Sequence, residues 1–187
     1  HYWFSQVGFL DHHAAVALTS TIVLASSMGL LAQLEDPKNE TSTTRMALAT
    51  GLAMALAFLV WPGSLLHVAL AEAGFLLYIA TRKRIKDAAQ AAGAVCWVNA
   101  IAAAVIAPWS WGNHWPQWSD FSPAVLSNFQ PWFLAALALY ALVLRGTWTR
   151  GQDRGALRRL GDQGVLALLI VGASLFLFPG LLDSFGD

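Results

Sequence analysis

Cysteine occurs once, as Cys96, so no disulfide within the chain can hold the fold together. Charge is scarce too: Asp, Glu, Lys and Arg make up 12% of the residues against 57% hydrophobic ones, far from the average soluble composition. The formal net charge is zero, and no basic stripe exists with which to hold nucleic acid. No stretch reads as a soluble domain, and no internal repeat is evident. The opening HYWFSQVG lacks a basic n-region and a small-residue cleavage site. It reads as the start of an internal fragment of a larger protein.

The most informative absence is that of Lys and Arg from long apolar stretches. All eleven lie in three short segments, Lys38 with Arg45, then Arg82 to Lys86, then Arg145 to Arg159. A charge at the centre of a bilayer is costly, and cytoplasmic loops are enriched in Lys and Arg. The basic segments therefore mark the cytoplasmic side. Residues 1–13, 61–64, 109–131 and the tail after Phe178 contain no Lys or Arg and are expected outside.

Crossing the hydrocarbon takes about 20 residues in a helix. On that measure the chain divides into six spans, 14–34, 46–61, 64–81, 88–107, 132–148 and 164–182. The expected fold is an all-α membrane protein, a single transmembrane domain over 1–187 with external loops at 1–13, 61–64 and 109–131. Pro62 and Pro131 mark external helix boundaries, and Pro179 ends or bends the last helix. The Asn39-Glu40-Thr41 sequon falls on the cytoplasmic side, where that modification does not occur.

Two external segments carry candidate chemistry. The first is Gly8-Phe9-Leu10-Asp11-His12-His13, at the mouth of the first span. Asp11 and His13 can converge on one divalent ion only where the backbone is not yet regular helix, and carboxylate with imidazole suits Mn, Zn or Fe better than Ca. The alternative is that Asp11 caps the helix and complements its dipole, with both histidines at headgroup level. The second is Pro108 to Pro131, in which Trp109, Trp111, Trp115 and Trp118 form either an interfacial aromatic belt or part of a site.

These residues resemble motifs of one family. Gly8 with Asp11-His12-His13 is similar to the second external acidic motif of oligosaccharyltransferase catalytic subunits, in their archaeal branch, where it reads Asp-His-His. Leu126-Ser127-Asn128-Phe129-Gln130-Pro131 resembles that family's Ser-x-x-Glu motif, and order, sidedness and approximate spacing match. The likeness covers about the middle third of such an enzyme. It implies a membrane fold of the GT-C type and transfer of a glycan from a polyprenyl (pyro)phosphate donor to an acceptor, a protein Asn, on the outer face of a prokaryotic cytoplasmic membrane. It further implies a divalent metal, Mn or Mg, on Asp11 and His13, completed by Asn128 or Asp120. His12, Ser127, Asn128 and Gln130 border the substrates, and the catalytic Asp is expected upstream. The partners implied are the polyprenyl-linked sugar donor, a polypeptide acceptor and the bilayer.

The pattern is not complete. The family's Ser-x-x-Glu carboxylate falls on Asn128, and an Arg usual seven residues before the motif Asp falls on Phe4. A catalytically silent relative is a second reading. A third is a haem-handling membrane protein: Trp109 to Asp120 resembles the Trp-rich external loop of cytochrome c biogenesis proteins, with His67 and His114 as axial ligands. Within the membrane, Glu72 is expected to be a protonated carboxyl hydrogen-bonded to Asn99 or Gln90, because no cation lies at its depth.

The orientation is directly testable. With Cys96 replaced by Ser, single cysteines at Gly112 and Ser184 should react with an impermeant thiol reagent added to intact cells, and one at Asn39 should not. Labelling at Asn39 alone would reverse the topology.

Overall fold

A computed structural model describes residues 2–35, 40–111, 125–150, 156–178 and 180–183. The described residues are helical apart from short connections, and contain no strand. Helix α1 spans Tyr2–Glu35, α2 Glu40–Val60, α3 Leu65–Thr81, α4 Ile85–Ser110, α5 Phe129–Arg150, α6 Ala156–Leu177 and the short α7 Gly180–Asp183. A 3-10 turn at Pro62–Ser64 joins α2 to α3. Six of these helices are long and apolar enough to cross a membrane. In hydrocarbon every backbone N–H and C=O needs an internal partner, which unbroken helices supply.

The six expected spans correspond to α1 to α6, with ends shifted by a few residues at most places. The largest difference is at the start. Residues 1–13 were expected as an external loop, yet α1 is helical from Tyr2. The polar run Asp11-His12-His13 breaks the hydropathy, not the backbone, and no proline stands between Tyr2 and Glu35 to stop the helix. At the other end α6 stops at Leu177, just ahead of Pro179, as expected of proline, and the chain resumes as α7.

Helix α4 is the centre of the bundle, packing chiefly on α5 and α2. Its interface is built of small residues: Ala88, Ala89, Ala91, Ala92, Ala94, Ala102 and Ala103 are buried, with Val95, Val98 and Ile106 among them. Lipid is as apolar as leucine, so burial alone does not draw such helices together; close backbone approach and interhelical hydrogen bonds do. The large buried side chains, Met54 and Phe58 of α2, Phe75 and Ile79 of α3, and Leu134 and Leu144 of α5, fill the space around this alanine-rich face. On α3 the opposite face, Leu66, Leu70 and Leu77, is more than 60% exposed, a stripe suited to lipid.

Contacts between helix ends fix which ends share a face. Arg82, after α3, pairs with Glu35 at the end of α1, and its guanidinium lies 3.9 Å from the centre of the Tyr78 ring. Thr43 of α2, Lys86 of α4 and Arg145 of α5 line one cavity. The ends of α1, α3 and α5 therefore gather with the beginnings of α2 and α4, and this face carries the basic residues. The heads of α1, α3 and α5 lie on the other.

Gly51 of α2 is where the backbones come closest. A Cβ there would sit 2.6 Å from the Val98 carbonyl oxygen and 3.1 Å from Ile101 Cβ, and a carbonyl in a helix cannot move aside. Gly51→Ala should therefore lower the unfolding temperature in detergent, the cost of overpacking being about 1–3 kcal/mol. Gly74→Ala, with open space around it, should be neutral or slightly stabilising. Equal thermal midpoints for the two variants would refute the close α2–α4 approach.

Candidate functional site

The head of α5 is the best defined of the expected site segments. Ser127 precedes the helix, and its backbone N–H and its hydroxyl both donate to Gln130 Oε1, each at 2.9 Å. Gln130 Nε2 in turn donates to the Val125 carbonyl at 3.2 Å, and the Phe129 N–H reaches Ser127 Oγ at 3.4 Å. This is a capping box: a Ser before the helix and a Gln three residues on satisfy donors that the first turn leaves over. Both side chains are buried, Ser127 at 2% and Gln130 at 0% exposure, so neither can be left without partners cheaply. The Ser-x-x-Gln spacing was visible in the sequence and signals this cap by itself.

Between these two, Asn128 is exposed. It lines a cavity of about 410 Å³ between the end of α4 and the head of α5, with Ser110, Trp111 and Trp132. Phe129, Trp132 and Phe178 pack ring against ring beside it, with centroids 5.4 Å apart for Phe129 and Phe178 and 6.4 Å for Trp132 and Phe178. Trp132 also donates from its indole N–H to Ser174 Oγ at 3.1 Å, tying α5 to α6. Trp109 and Trp111 are exposed by 64% and 86%, as an interfacial belt requires. Asp120, His114, Trp115 and Trp118 lie outside the described residues.

Asp11, His12 and His13 lie on regular helix within α1. The side chains of Asp11 and His12 lie outside the described residues. The backbone at Asp11 to His13 is helix rather than the irregular turn expected there. His13 is exposed, at the start of the apolar window of α1. Among the described residues no three His, Cys, Asp or Glu side chains gather as a metal site would need. The principal packing partners of α1 are α2 and α3, and those of α5 are α4 and α6. The two motif segments thus share a face of the bundle without lying on directly packed helices.

Inside the bundle, Glu72 meets Asn99, one of its two expected partners. Asn99 Nδ2 donates to Glu72 Oε1 at 3.0 Å and to the Val95 carbonyl at 3.1 Å, and both side chains are buried. Gln90, the other candidate, is exposed near the basic face. The bond crosses from α3 to α4, the usual role of a polar residue facing another helix in lipid. His67, one turn into α3, is half-buried, and its Nδ1 has no hydrogen-bond partner.

Gln130→Leu should leave the Ser127 N–H and hydroxyl unpaired in a buried place, at a cost of about 1–3 kcal/mol. A thermal melt in detergent should register that loss, while Asn128→Ala, at an exposed position, should leave the midpoint within a degree or two. An unchanged midpoint for Gln130→Leu would rule out the cap. No protein-family model, curated protein or solved structure matches this chain, so its function is argued from its own residues.

Proposed function

We propose that this chain is the membrane region of a glycosyltransferase of the oligosaccharyltransferase type, with a GT-C-like helical arrangement. It moves a glycan from a polyprenyl (pyro)phosphate donor to a polypeptide acceptor at the membrane face where α1, α3 and α5 begin. The observation that carries the reading is the common sidedness of the two motif segments, Asp11-His12-His13 on α1 and Ser127 to Pro131 at the head of α5. Six apolar helices with the basic residues on the opposite face are what such an enzyme needs to act on the outer side.

The divalent metal of this reading, Mn or Mg, would supply Lewis-acid stabilisation of the departing phosphate. Asp11 and His13 are the ligands this reading takes from α1, and other oxygen donors complete the shell. Asn128 and Asp120 are the donors this chain offers from the α5 side. The capping box gives Asn128 a defined place: with Ser127 and Gln130 locked by their hydrogen bonds, the residue between them stays on the exposed side of the first turn, beside the Trp132 cavity.

Titration of Mn into the full-length protein tests the reading. Asp11→Ala or His13→Ala should weaken metal binding by at least about tenfold, the usual loss when a site of few ligands is disturbed. Asn128→Glu should tighten it, since an added negative charge beside a divalent ion is a large local term. Metal-dependent binding of a polyprenyl-linked sugar should follow the same order. Identical dissociation constants in all these proteins would remove both segments from any active site.

A further inference from the structure

A second cavity, larger than the one beside Asn128, is not on the motif face. It lies at the basic face, between the beginnings of α2 and α4 and the end of α5, with a volume of about 580 Å³. That falls in the size range of small-molecule sites.

Among the described residues its polar lining carries cations and hydrogen-bond donors but no carboxylate. Lys86 of α4 and Arg145 of α5 supply two positive charges, and neither has an acidic partner among the described residues. Two further polar groups on its wall are buried without a hydrogen-bond partner among the described residues: the indole N–H of Trp148, in a residue 3% exposed, and the hydroxyl of Thr43, in a residue 8% exposed. A buried donor without an acceptor is costly, so these two groups add unmet hydrogen-bonding capacity to the wall behind the two cations.

Gly93 sets the position of the arginine. A Cβ at Gly93 would come within 3.2 Å of Arg145 Cδ and 3.3 Å of its Nε and Nη1, so the side chain of Arg145 lies across the bare backbone of α4. A Cβ at 93 would oblige the Arg145 side chain to give way by a few tenths of an ångström.

The lining also changes character with depth. On α4, Lys86, Gln90, Gly93 and Trp97 all line the cavity at spacings of four, three and four residues, so they form one continuous stripe along the helix. Read from the helix start inward, it passes from charged to neutral polar to bare backbone to an aromatic that is 56% exposed. A soluble anion needs only the first part of that gradient. A molecule with an anionic head and an apolar chain matches all of it, with the head between Lys86 and Arg145 and the chain against Trp97. Basic pockets between membrane helices bind anionic lipid headgroups for this reason.

We propose that the cavity bounded by Lys86, Arg145, Thr43, Trp148 and Trp97 is a binding site for a phosphate-bearing anionic lipid of the leaflet at the basic face. It stands apart from the transfer reaction proposed above, which occupies the opposite face, so either can fail without the other.

The test uses the purified full chain in detergent, with phosphatidylglycerol as the probe and phosphatidylcholine and glycerol 3-phosphate as comparisons, bound lipid being counted by native mass spectrometry. Phosphatidylglycerol should bind in preference to phosphatidylcholine. Lys86→Gln and Arg145→Gln should each weaken it by about fivefold or more, the worth of one cation near a membrane surface. Lys83→Gln removes the same charge from the same face outside the cavity and should have little effect. Trp148→Phe should weaken binding at unchanged charge. Lys86 is exposed, so its variant tests the site even if Arg145→Gln disturbs the fold. Equal affinities for the Lys86, Arg145 and Lys83 variants would overturn the site. Displacement of the lipid by an equal concentration of glycerol 3-phosphate would overturn its assignment to a lipid and leave a soluble phosphate ester as the ligand.

Discussion

Close approach to α4 is the constraint on which the rest of this bundle depends. In lipid an apolar helix gains little by exchanging lipid contacts for protein contacts, so association rests on tight packing and on hydrogen bonds between helices. Helix α4 meets the first need with a face of alanines, and α2 meets it with Gly51 laid over the Val98 carbonyl. The second need is met within the helical hairpins. Thr50 of α2 donates to the Ser26 carbonyl of α1 at 3.1 Å, Asn99 of α4 to Glu72 of α3, and Trp132 of α5 to Ser174 of α6. Each of three successive hairpins is thus tied by a polar bond, and α4 joins them through α2 and α5.

The hairpins differ in how much they depend on that bond. Helices α1 and α2 pack over much of their length, whereas α5 and α6 touch lightly, and among its described side chains α6 buries only Gln163. The Trp132 indole and the Phe178 ring therefore carry much of what holds α6 at its outer end. At the middle of the bundle the Glu72 bond does a different thing. Sliding α3 along α4 by one residue would turn a buried carboxyl toward leucine or lipid, so the pair sets the register that apolar packing leaves loose.

The spans were legible in the sequence because lipid imposes a length and excludes charge, and both leave marks along the chain. The interfaces were not. Leu66 and Leu70 face outward and Val68 and Phe75 inward on the same helix, with side chains of comparable hydropathy. Hydropathy distinguishes lipid from water, not lipid from core. The alanine run of 88–103 was the one available sign, since small residues are costly to lipid contact and favourable to helix contact. The apolar span of α1 begins at His13, one residue from the expected start, while the helix runs back to Tyr2 because Asp11-His12-His13 interrupts apolarity without interrupting helix. Glu72 with Asn99 was readable because a polar residue at that depth has few partners to choose from. The basic cavity escaped notice since it joins Lys86, Gly93 and Arg145 across two helices, and no spacing along one segment announces such a meeting.

The cap at Ser127 and Gln130 also bears on how motif resemblance should be weighed. A short Ser-x-x-Gln pattern before an apolar run has a structural cause sufficient in itself, the satisfaction of first-turn donors, and it will recur wherever a helix starts in a buried place. Structural sufficiency does not exclude a second use. A helix start that is buried and fully hydrogen-bonded is rigid, and rigid backbone is what a site needs to hold an exposed side chain in one direction. Asn128 is the residue so held, exposed beside the Trp132 cavity. Whether that position carries an amide or a carboxylate then changes charge without changing shape, because the cap is formed entirely by its neighbours. Charge at this position is therefore separable from folding by a single side chain, which the Glu72 and Gly51 positions, each fixed by its packing, do not permit.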